Sequence, residues 1–326
     1  MDKYQEAFLN TDTFLEKRPE LEKFYQSSVE NLKFKTDDGY TITAAHLVVD
    51  KPIDTLVIIP GRGEIAHKFC EFFYTLSKLH IQAYVIFARG QATSTRLLDN
   101  KQKCHINKFE DFAKDVSLVL EKQNISNYKL LAFSLGGLVS LDIIKNGQNK
   151  PSKAALIAPY IWPYFKLNAG LLKALAFTLG TLPLTNTMYT PHGREYKRLE
   201  FIGNHHSHDK SRFEYYHEYF SRHPNYTIGG PTYKFVKEAM KKQLELLHSK
   251  FEFSMPIYCQ SAGEDKVVKT AVAKEFFERH LNDKIPPKFE VIENAYHDII
   301  NESDEYRIRP LSKALEFLFE NNQEEK

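Results

Sequence analysis

The stretch Tyr128-Lys129-Leu130-Leu131-Ala132-Phe133-Ser134-Leu135-Gly136-Gly137-Leu138-Val139-Ser140-Leu141 constrains the fold of this chain more than any other. An apolar run of strand length stops at a serine, and a pattern with Leu138, Leu141 and Ile144 on one helical face begins after two glycines. A strand that turns through one residue into a helix puts that residue at the tip of a sharp bend. Its backbone is strained, and its hydroxyl stands clear of the sheet over the helix N-terminus. The bend needs small residues two places before and after the serine; Gly136 meets this, and Ala132 stands where the G-x-S-x-G form has glycine. Ser134 reads as a nucleophile, although an ordinary loop can carry the same letters, so the rest of the chain must decide.

Around this stretch, strands and helices alternate. Asp38-Gly39 between two alternating apolar segments marks a hairpin of edge strands. Thr55 to Ile59 is a continuous apolar run, as in a strand buried on both faces, and it ends in the glycine-containing loop Pro60-Gly61-Arg62-Gly63-Glu64. Ile81 to Phe87, Lys153 to Ala158, Ile257 to Gln260 and Lys288 to Ile292 are further strands, with helical patterns between them. Pro310 is read as opening a last helix that carries Leu311, Leu315 and Leu318 on one side. This rhythm predicts an α/β protein with a mostly parallel, doubly wound sheet. It breaks between Tyr160 and Lys250, where an inserted, mainly helical cap is expected over the carboxyl edge of the sheet. The expected organisation is a helical, peripheral N-terminal segment over 1–27, a core in two parts over 28–159 and 251–326, and a cap over 160–250.

Composition narrows the function by exclusion. A formal net charge of +2 with 26% charged residues gives no basic surplus, so no nucleic-acid partner is expected. Cys70, Cys104 and Cys259 are too few and too scattered for a disulfide framework or a zinc site, which points to a reducing, cytoplasmic setting. The first residues, MDKYQEAFLNTDTFLEKRPELEKFYQ, hold no uninterrupted apolar core and do not read as a signal peptide. No uncharged apolar run reaches the length of a membrane-spanning helix.

A serine hydroxyl needs a base to take its proton, and the base needs a carboxylate to hold its tautomer. The candidates stand just beyond strands: Asp265 in Ser261-Ala262-Gly263-Glu264-Asp265-Lys266, and His297 in Asn294-Ala295-Tyr296-His297-Asp298. Glu264 is the second choice of acid. Each loop alone is a weak signal, but Ser134, Asp265 and His297 in that order at strand ends form a strong one. The negative oxygen of a tetrahedral intermediate calls for two donors, here the backbone N–H groups of Arg62 and Leu135. The Arg62 side chain is either a solvated loop arginine or a partner for an anionic head group. His205, His206 and His208 with Asp209 invite a metal reading, but a polar turn in the cap accounts for them better and the chemistry needs no metal or cofactor.

With these residues in place the chain resembles the α/β-hydrolases of the monoacylglycerol lipase and lysophospholipase group, over roughly residues 28 to 320, and within it the bacterial PldB-type lysophospholipases. Four stretches carry the resemblance: Pro60-Gly61-Arg62-Gly63-Glu64; Arg89-Gly90-Gln91-Ala92-Thr93-Ser94 with Arg96-Leu97-Leu98 and His105-Ile106-Asn107-Lys108-Phe109; Ile228-Gly229-Gly230-Pro231-Thr232-Tyr233-Lys234-Phe235-Val236-Lys237-Glu238; and Asn294-Ala295-Tyr296-His297. Ala132, Ala88 and Ala92 depart from the family pattern. The resemblance implies an α/β-hydrolase fold and assigns Ser134 as nucleophile, Asp265 as acid, His297 as base, and Arg62 and Leu135 as oxyanion donors. It implies a lysophospholipase that releases a fatty acid through an acyl-enzyme on Ser134, with a monoacylglycerol lipase or general carboxylesterase as the alternative and a non-catalytic binding protein as the remote one. The cap would then supply an apolar trough from Phe165, Leu167, Leu171, Leu172, Leu175, Phe177 and Leu179, the other reading of these side chains being a cap helix packed on the sheet domain. Peripheral contact with the inner face of a membrane, Lys166 and Lys173 at head-group level, is the further expectation.

Overall fold

The computed structural model describes residues 3–164, 169–280 and 284–320. Helices α1 (Lys3–Ala7) and α2 (Thr11–Ser28) precede a hairpin of β1 (Val29–Lys35) and β2 (Thr41–Leu47). Alternation follows through β3 (Asp54–Ile59), α3 (Cys70–Lys78), β4 (Ile81–Phe87), α4 (Glu110–Lys122), β5 (Lys129–Phe133), α5 (Leu135–Asn146) and β6 (Lys153–Ile157). Helices α6 (Ala169–Thr181), α7 (Lys210–Arg222) and α8 (Tyr233–His248) occupy the interval before β7 (Ile257–Ala262). After β7 come α9 (Thr270–Arg279), β8 (Lys288–Ile292) and α10 (Asp304–Phe319).

The strands form one sheet in the order β1-β2-β4-β3-β5-β6-β7-β8. Only the β1–β2 and β2–β4 pairs are antiparallel; the others run parallel, giving the doubly wound sheet read from the sequence. Because side chains alternate along a strand, β3 and β5 feed two cores. Val57, Ile59, Leu130 and Ala132 face the layer of α4, α5, α8 and α9. Leu56, Ile58, Leu131 and Phe133 face the layer of α3 and α10. The loops after β3, β5, β7 and β8 therefore all emerge at one carboxyl edge, where ligands meet open α/β sheets. Among the described residues no helix is long and apolar enough to cross a membrane, and the three cysteines are buried free thiols.

Three expectations are corrected here. The N-terminal helices are not peripheral: Phe14 and Leu21 are fully buried and α2 lies on α3. The last helix starts at Asp304, leaving Pro310 in its interior. An interior proline costs about 3 kcal/mol. Its first turn is held upstream by Arg307, which donates to the Ile300 carbonyl at 3.1 Å and to Glu71 at 2.8 Å, and the buried Leu311, Leu315 and Leu318 hold the rest. Finally, α6 packs on α8 rather than over the sheet edge. Gly180 makes that possible, since a Cβ there would lie 2.7 Å from the Lys237 Cβ and 2.8 Å from the Tyr233 carbonyl oxygen. In turn α8 sits on α5, its buried Lys242 ammonium 2.9 Å from Asp142.

Candidate active site

Ser134 sits between β5 and α5 with φ 50° and ψ −114°, a left-handed conformation that a non-glycine residue adopts only under strain. The bend is held by contact at its helical side. A Cβ on Gly136 would fall 2.0 Å from the Ile59 carbonyl oxygen and 2.8 Å from that of Pro60, and one on Gly137 would fall 2.5 Å from the Pro159 Cβ. The start of α5 is thus seated directly on the end of β3, which brings the Leu135 N–H and the Pro60–Glu64 loop side by side. Ala132, the departure from the usual motif, is fully buried in β5 and fits without disturbance.

Ser134 Oγ lies 2.9 Å from His297 Nε2, and His297 Nδ1 lies 2.7 Å from Asp265 Oδ2. The other carboxylate oxygen of Asp265 accepts the N–H groups of Val267 at 2.7 Å and Val268 at 2.9 Å, which fixes the plane of the acid. The structure therefore brings together the three residues singled out from the sequence. Glu264 is not part of this chain: its carboxylate is exposed and pairs with Lys266 at 3.2 Å.

In the loop after β3 the Gly61 N–H donates to Glu64 Oε2 at 2.7 Å and the Gly63 N–H to Gln91 Oε1 at 3.0 Å. Between them the Arg62 N–H carries no hydrogen bond among the described residues, and neither does that of Leu135. The Arg62 side chain is exposed, and its guanidinium donates to the Gly229 carbonyl at 2.9 Å, which ties it to the inserted segment.

A cavity of about 380 Å³ opens on Ser134 and His297, within the size range of ligand sites. Its apolar wall comes from Phe133, Leu199, Phe213, Phe220, Ile228 and Val267. The expected trough does not form there: Leu171, Leu172, Leu175, Phe177 and Leu179 are on α6, away from the cavity. Phe165, Lys166 and Leu167 lie outside the described residues.

Beside Ser134, His297 and Asp265 is a buried ionic group that sequence reasoning missed. Lys68, in the turn before α3, bonds Glu64 and lies 2.7 Å from Asp298. Burial opposes the Lys68 charge, but the two carboxylates outweigh it and hold its pKa above the ordinary value. Burial likewise pushes the Glu64 carboxyl up, against the pull of Lys68. No spacing rule marked this group, because Glu64 stands in the loop after β3 rather than on a helix and Asp298 is far along the chain.

The histidine-rich segment is a strap against the His297 loop. The Asp298 N–H donates to the His206 carbonyl at 2.8 Å, and Ser207 Oγ to that of Asn301 at 2.7 Å. Glu302, fully buried, accepts the Tyr296 N–H, the His208 N–H and the Ser303 N–H, each at 2.8 Å, and sits 2.7 Å from His208 Nδ1. The His206 ring is 6.2 Å from that of His297, and burial, then the charge of His297, lowers its pKa to about 4. Among the described residues no group of three or more His, Cys, Asp or Glu side chains is placed to hold a metal.

Residues 50–304 match the model of a family described as serine aminopeptidase, S33. Lysophospholipase L2 of Escherichia coli (strain K12) is 26% identical over 274 residues, covering 82% of this chain and 81% of that protein. Probable lysophospholipase L2 of Haemophilus influenzae is 26% identical over 274 residues, 81% of this chain and 83% of that one. Among solved structures, a soluble variant of monoglyceride lipase from Saccharomyces cerevisiae in complex with a substrate analog superposes with a TM-score of 0.70 at 15% identity, over 89% of this chain and 95% of the other. Monoacylglycerol lipase of Paleococcus ferrophilus gives 0.64 at 15% identity, over 88% and 98%. These two likenesses speak for the fold.

Proposed function

Because the chain belongs to the serine aminopeptidase, S33 family, we propose that it is a serine hydrolase cleaving the carboxylic ester of single-chain lipids, and specifically a lysophospholipase. The observation that carries this reading is the hydrogen-bonded chain Ser134–His297–Asp265 at the floor of a cavity with an apolar wall. The two lysophospholipase L2 relatives support the choice of substrate.

In this mechanism His297 Nε2 takes the proton of Ser134 as Oγ attacks the ester carbonyl, and Asp265 steadies the imidazolium through Nδ1. The Arg62 and Leu135 N–H groups receive the developing oxyanion, each worth roughly a hundred- to a thousandfold in rate. His297 then gives its proton to the departing glycerol oxygen, leaving the acyl group on Ser134. Water, deprotonated by the same imidazole, releases the fatty acid and restores the serine. Residues 160–250 act as the cap, 28–159 and 251–326 as the hydrolase core, and 1–27 as an N-terminal helical segment. The outer apolar side chains of the cap, with Leu171 68% and Leu184 90% exposed, support peripheral contact with a lipid surface.

The test is a panel of lysophospholipids, monoacylglycerols and short acyl esters, run with wild type and Ser134→Ala. Wild type should cleave lysophosphatidylethanolamine, and the variant should lose that activity and its labelling by a fluorophosphonate. Faster turnover of monoacylglycerol would favour a glyceride lipase, and activity that falls steadily as the acyl chain lengthens would sink the lipid reading. Equal labelling of both proteins would leave a binding protein on a hydrolase fold.

A further inference from the structure

We propose that Arg194 and Lys197 form a subsite for the phosphate of the substrate's head group, and that this subsite selects phospholipid over neutral glyceride. The proposal rests on the lysophospholipase reading and adds to it the residues that read the head group.

Both residues line the cavity that opens on Ser134. They belong to a segment without helix or strand, yet that segment is pinned along its length. The Gly193 N–H donates to the Thr190 carbonyl at 2.8 Å, the Gly230 N–H to the Arg194 carbonyl at 2.7 Å, and the Tyr196 N–H to Gln102 Oε1 at 3.2 Å. The Tyr196 hydroxyl lies 3.1 Å from His217 Nδ1, and Glu195 accepts from Asn100 at 3.1 Å. Two glycines let it come this close: a Cβ on Gly229 would lie 2.4 Å from the Arg194 carbonyl oxygen, and one on Gly230 would lie 2.7 Å from the Gly193 Cα. This gives a physical reason for the Gly229-Gly230 pair. It presses residues 193–196 onto the strand of chain that also holds the Arg62 guanidinium through the Gly229 carbonyl.

The charges of the lining residues then separate by partner. Lys68 is held by Glu64 and Asp298, and Arg212 by Glu71, Asp209 and Asp304. Arg194, Lys197 and Arg62 form no ion pair among the described residues, and the Arg62 guanidinium donates to the Gly229 carbonyl. Glu195 is the opposing carboxylate, bonded to the neutral Asn100. The mouth of the cavity is left with a surplus of positive charge, which a singly charged phosphodiester satisfies and a glycerol hydroxyl does not. Arg194 offers the planar fork suited to two phosphate oxygens, and Lys197 a point charge beside it. The phosphate of a lysophospholipid is separated from its scissile ester by a glycerol, so it falls at the wet mouth while the ester is at Ser134.

The experiment measures kcat/KM for palmitoyl lysophosphatidylethanolamine and for monopalmitoylglycerol, both kept monomeric, in wild type and Arg194→Gln/Lys197→Gln. Both side chains are exposed, and glutamine keeps their bulk, so the fold is retained. Removing two charged contacts should lower the ratio of lysophospholipid to glyceride rates by about tenfold to a hundredfold. In the same variant, sn-glycerol 3-phosphate and inorganic phosphate should inhibit hydrolysis of p-nitrophenyl butyrate less than in wild type, the first being the stronger inhibitor of wild type. An unchanged ratio in an active enzyme overturns the subsite and leaves the hydrolase reading intact, as does a variant that loses only binding to anionic vesicles. Wild type that cleaves monoacylglycerol and no lysophospholipid overturns both.

Discussion

Asp265→Asn is the substitution whose outcome the structure determines most sharply. An amide nearly matches the carboxylate in shape but has one donor end and one acceptor end. Oδ1 of Asp265 accepts two backbone N–H groups, from Val267 and Val268, while Oδ2 faces His297 Nδ1. If the amide nitrogen took the first position, two backbone donors would lose their acceptor, at about 1–3 kcal/mol for the buried Val268 N–H and less for the part-buried Val267 N–H. The oxygen therefore stays with the backbone and the NH2 turns toward the imidazole. Nδ1 must then accept, the ring proton moves to Nε2, and the nitrogen 2.9 Å from Ser134 Oγ can no longer take its proton. A triad locked in that tautomer loses about 10⁴ in kcat, or about 5.4 kcal/mol of transition-state stabilisation. The assay is kcat on a soluble nitrophenyl ester, with fluorophosphonate labelling rate and a thermal melt; the melt should stay near wild type. Glu264→Gln should change kcat less than about twofold, because its partner Lys266 is an exposed ion pair of small worth. An Asp265→Asn enzyme with a tenth of wild-type kcat, or a large loss at Glu264 instead, would refute the assignment.

Gly136→Ala should destabilise the fold by about 1–3 kcal/mol or more and depress activity with it, since the added methyl meets two backbone oxygens of the β3 end and must push the Arg62 loop away; an unchanged melt and rate would count against the close seat of α5 on β3. Glu302→Gln puts an amide NH2 where at least one N–H now donates, either from Tyr296 or from His208 and Ser303, so the His297 loop should loosen. Its kcat should fall at least tenfold with KM little changed, and a normal kcat would show that the loop holds itself. His67, His105, His206 and His217 have pKa values lowered to about 4, in each case chiefly by burial. They are neutral when folded, whereas the unfolded chain binds protons near 6.5, so unfolding takes up protons and stability is full above about pH 6.5 and lost as pH falls toward 4. For His67 alone the loss at pH 5 is about 2 kcal/mol, and a urea midpoint that does not move between pH 8 and pH 5 would contradict it.

The parts of this molecule that could be read in advance are those with a local signature. A strand buried on both faces is a run of apolar residues, so β3, β4, β5, β6 and β7 stood out, and the bend at Ser134 announces itself through the small residues around it. Asp265 and His297 could be placed because a parallel sheet collects the loops after its strands on one edge. What could not be read are contacts whose partners are far apart in the chain. Arg212 meets Glu71 across 141 residues and Arg307 meets Glu71 across 236. No spacing rule connects such pairs. The apolar wall was missed for a related reason. Periodicity tells that a helix such as α6 has an apolar side, but not which neighbour it covers, and Gly180 selected α8. The residues that do line the cavity, Phe213, Tyr216 and Phe220, sit on α7 among charged neighbours and carry no comparable signal.

The same long-range contacts tie substrate binding to catalytic geometry. The α7 wall is fixed at its root: Asp209 caps the helix by accepting the Arg212 N–H, and the Arg212 guanidinium is buried among Asp209, Asp304 and Glu71. Removing one partner from such a buried group costs about 3–5 kcal/mol, so α7 is anchored to the sheet body rather than hinged on it. Immediately before it, the 205–208 strap is bonded to the His297 loop. The opposite wall, at Arg194, is pressed by the glycine pair onto the chain that holds Arg62. Each wall of the cavity thus shares its support with one of the groups proposed to react, the His297 imidazole or the Arg62 loop. A disturbance transmitted along either wall displaces a reacting group as well as a substrate contact. Changes in the inserted segment should therefore register in kcat as well as in KM, because positioning within a fraction of an ångström carries much of the rate.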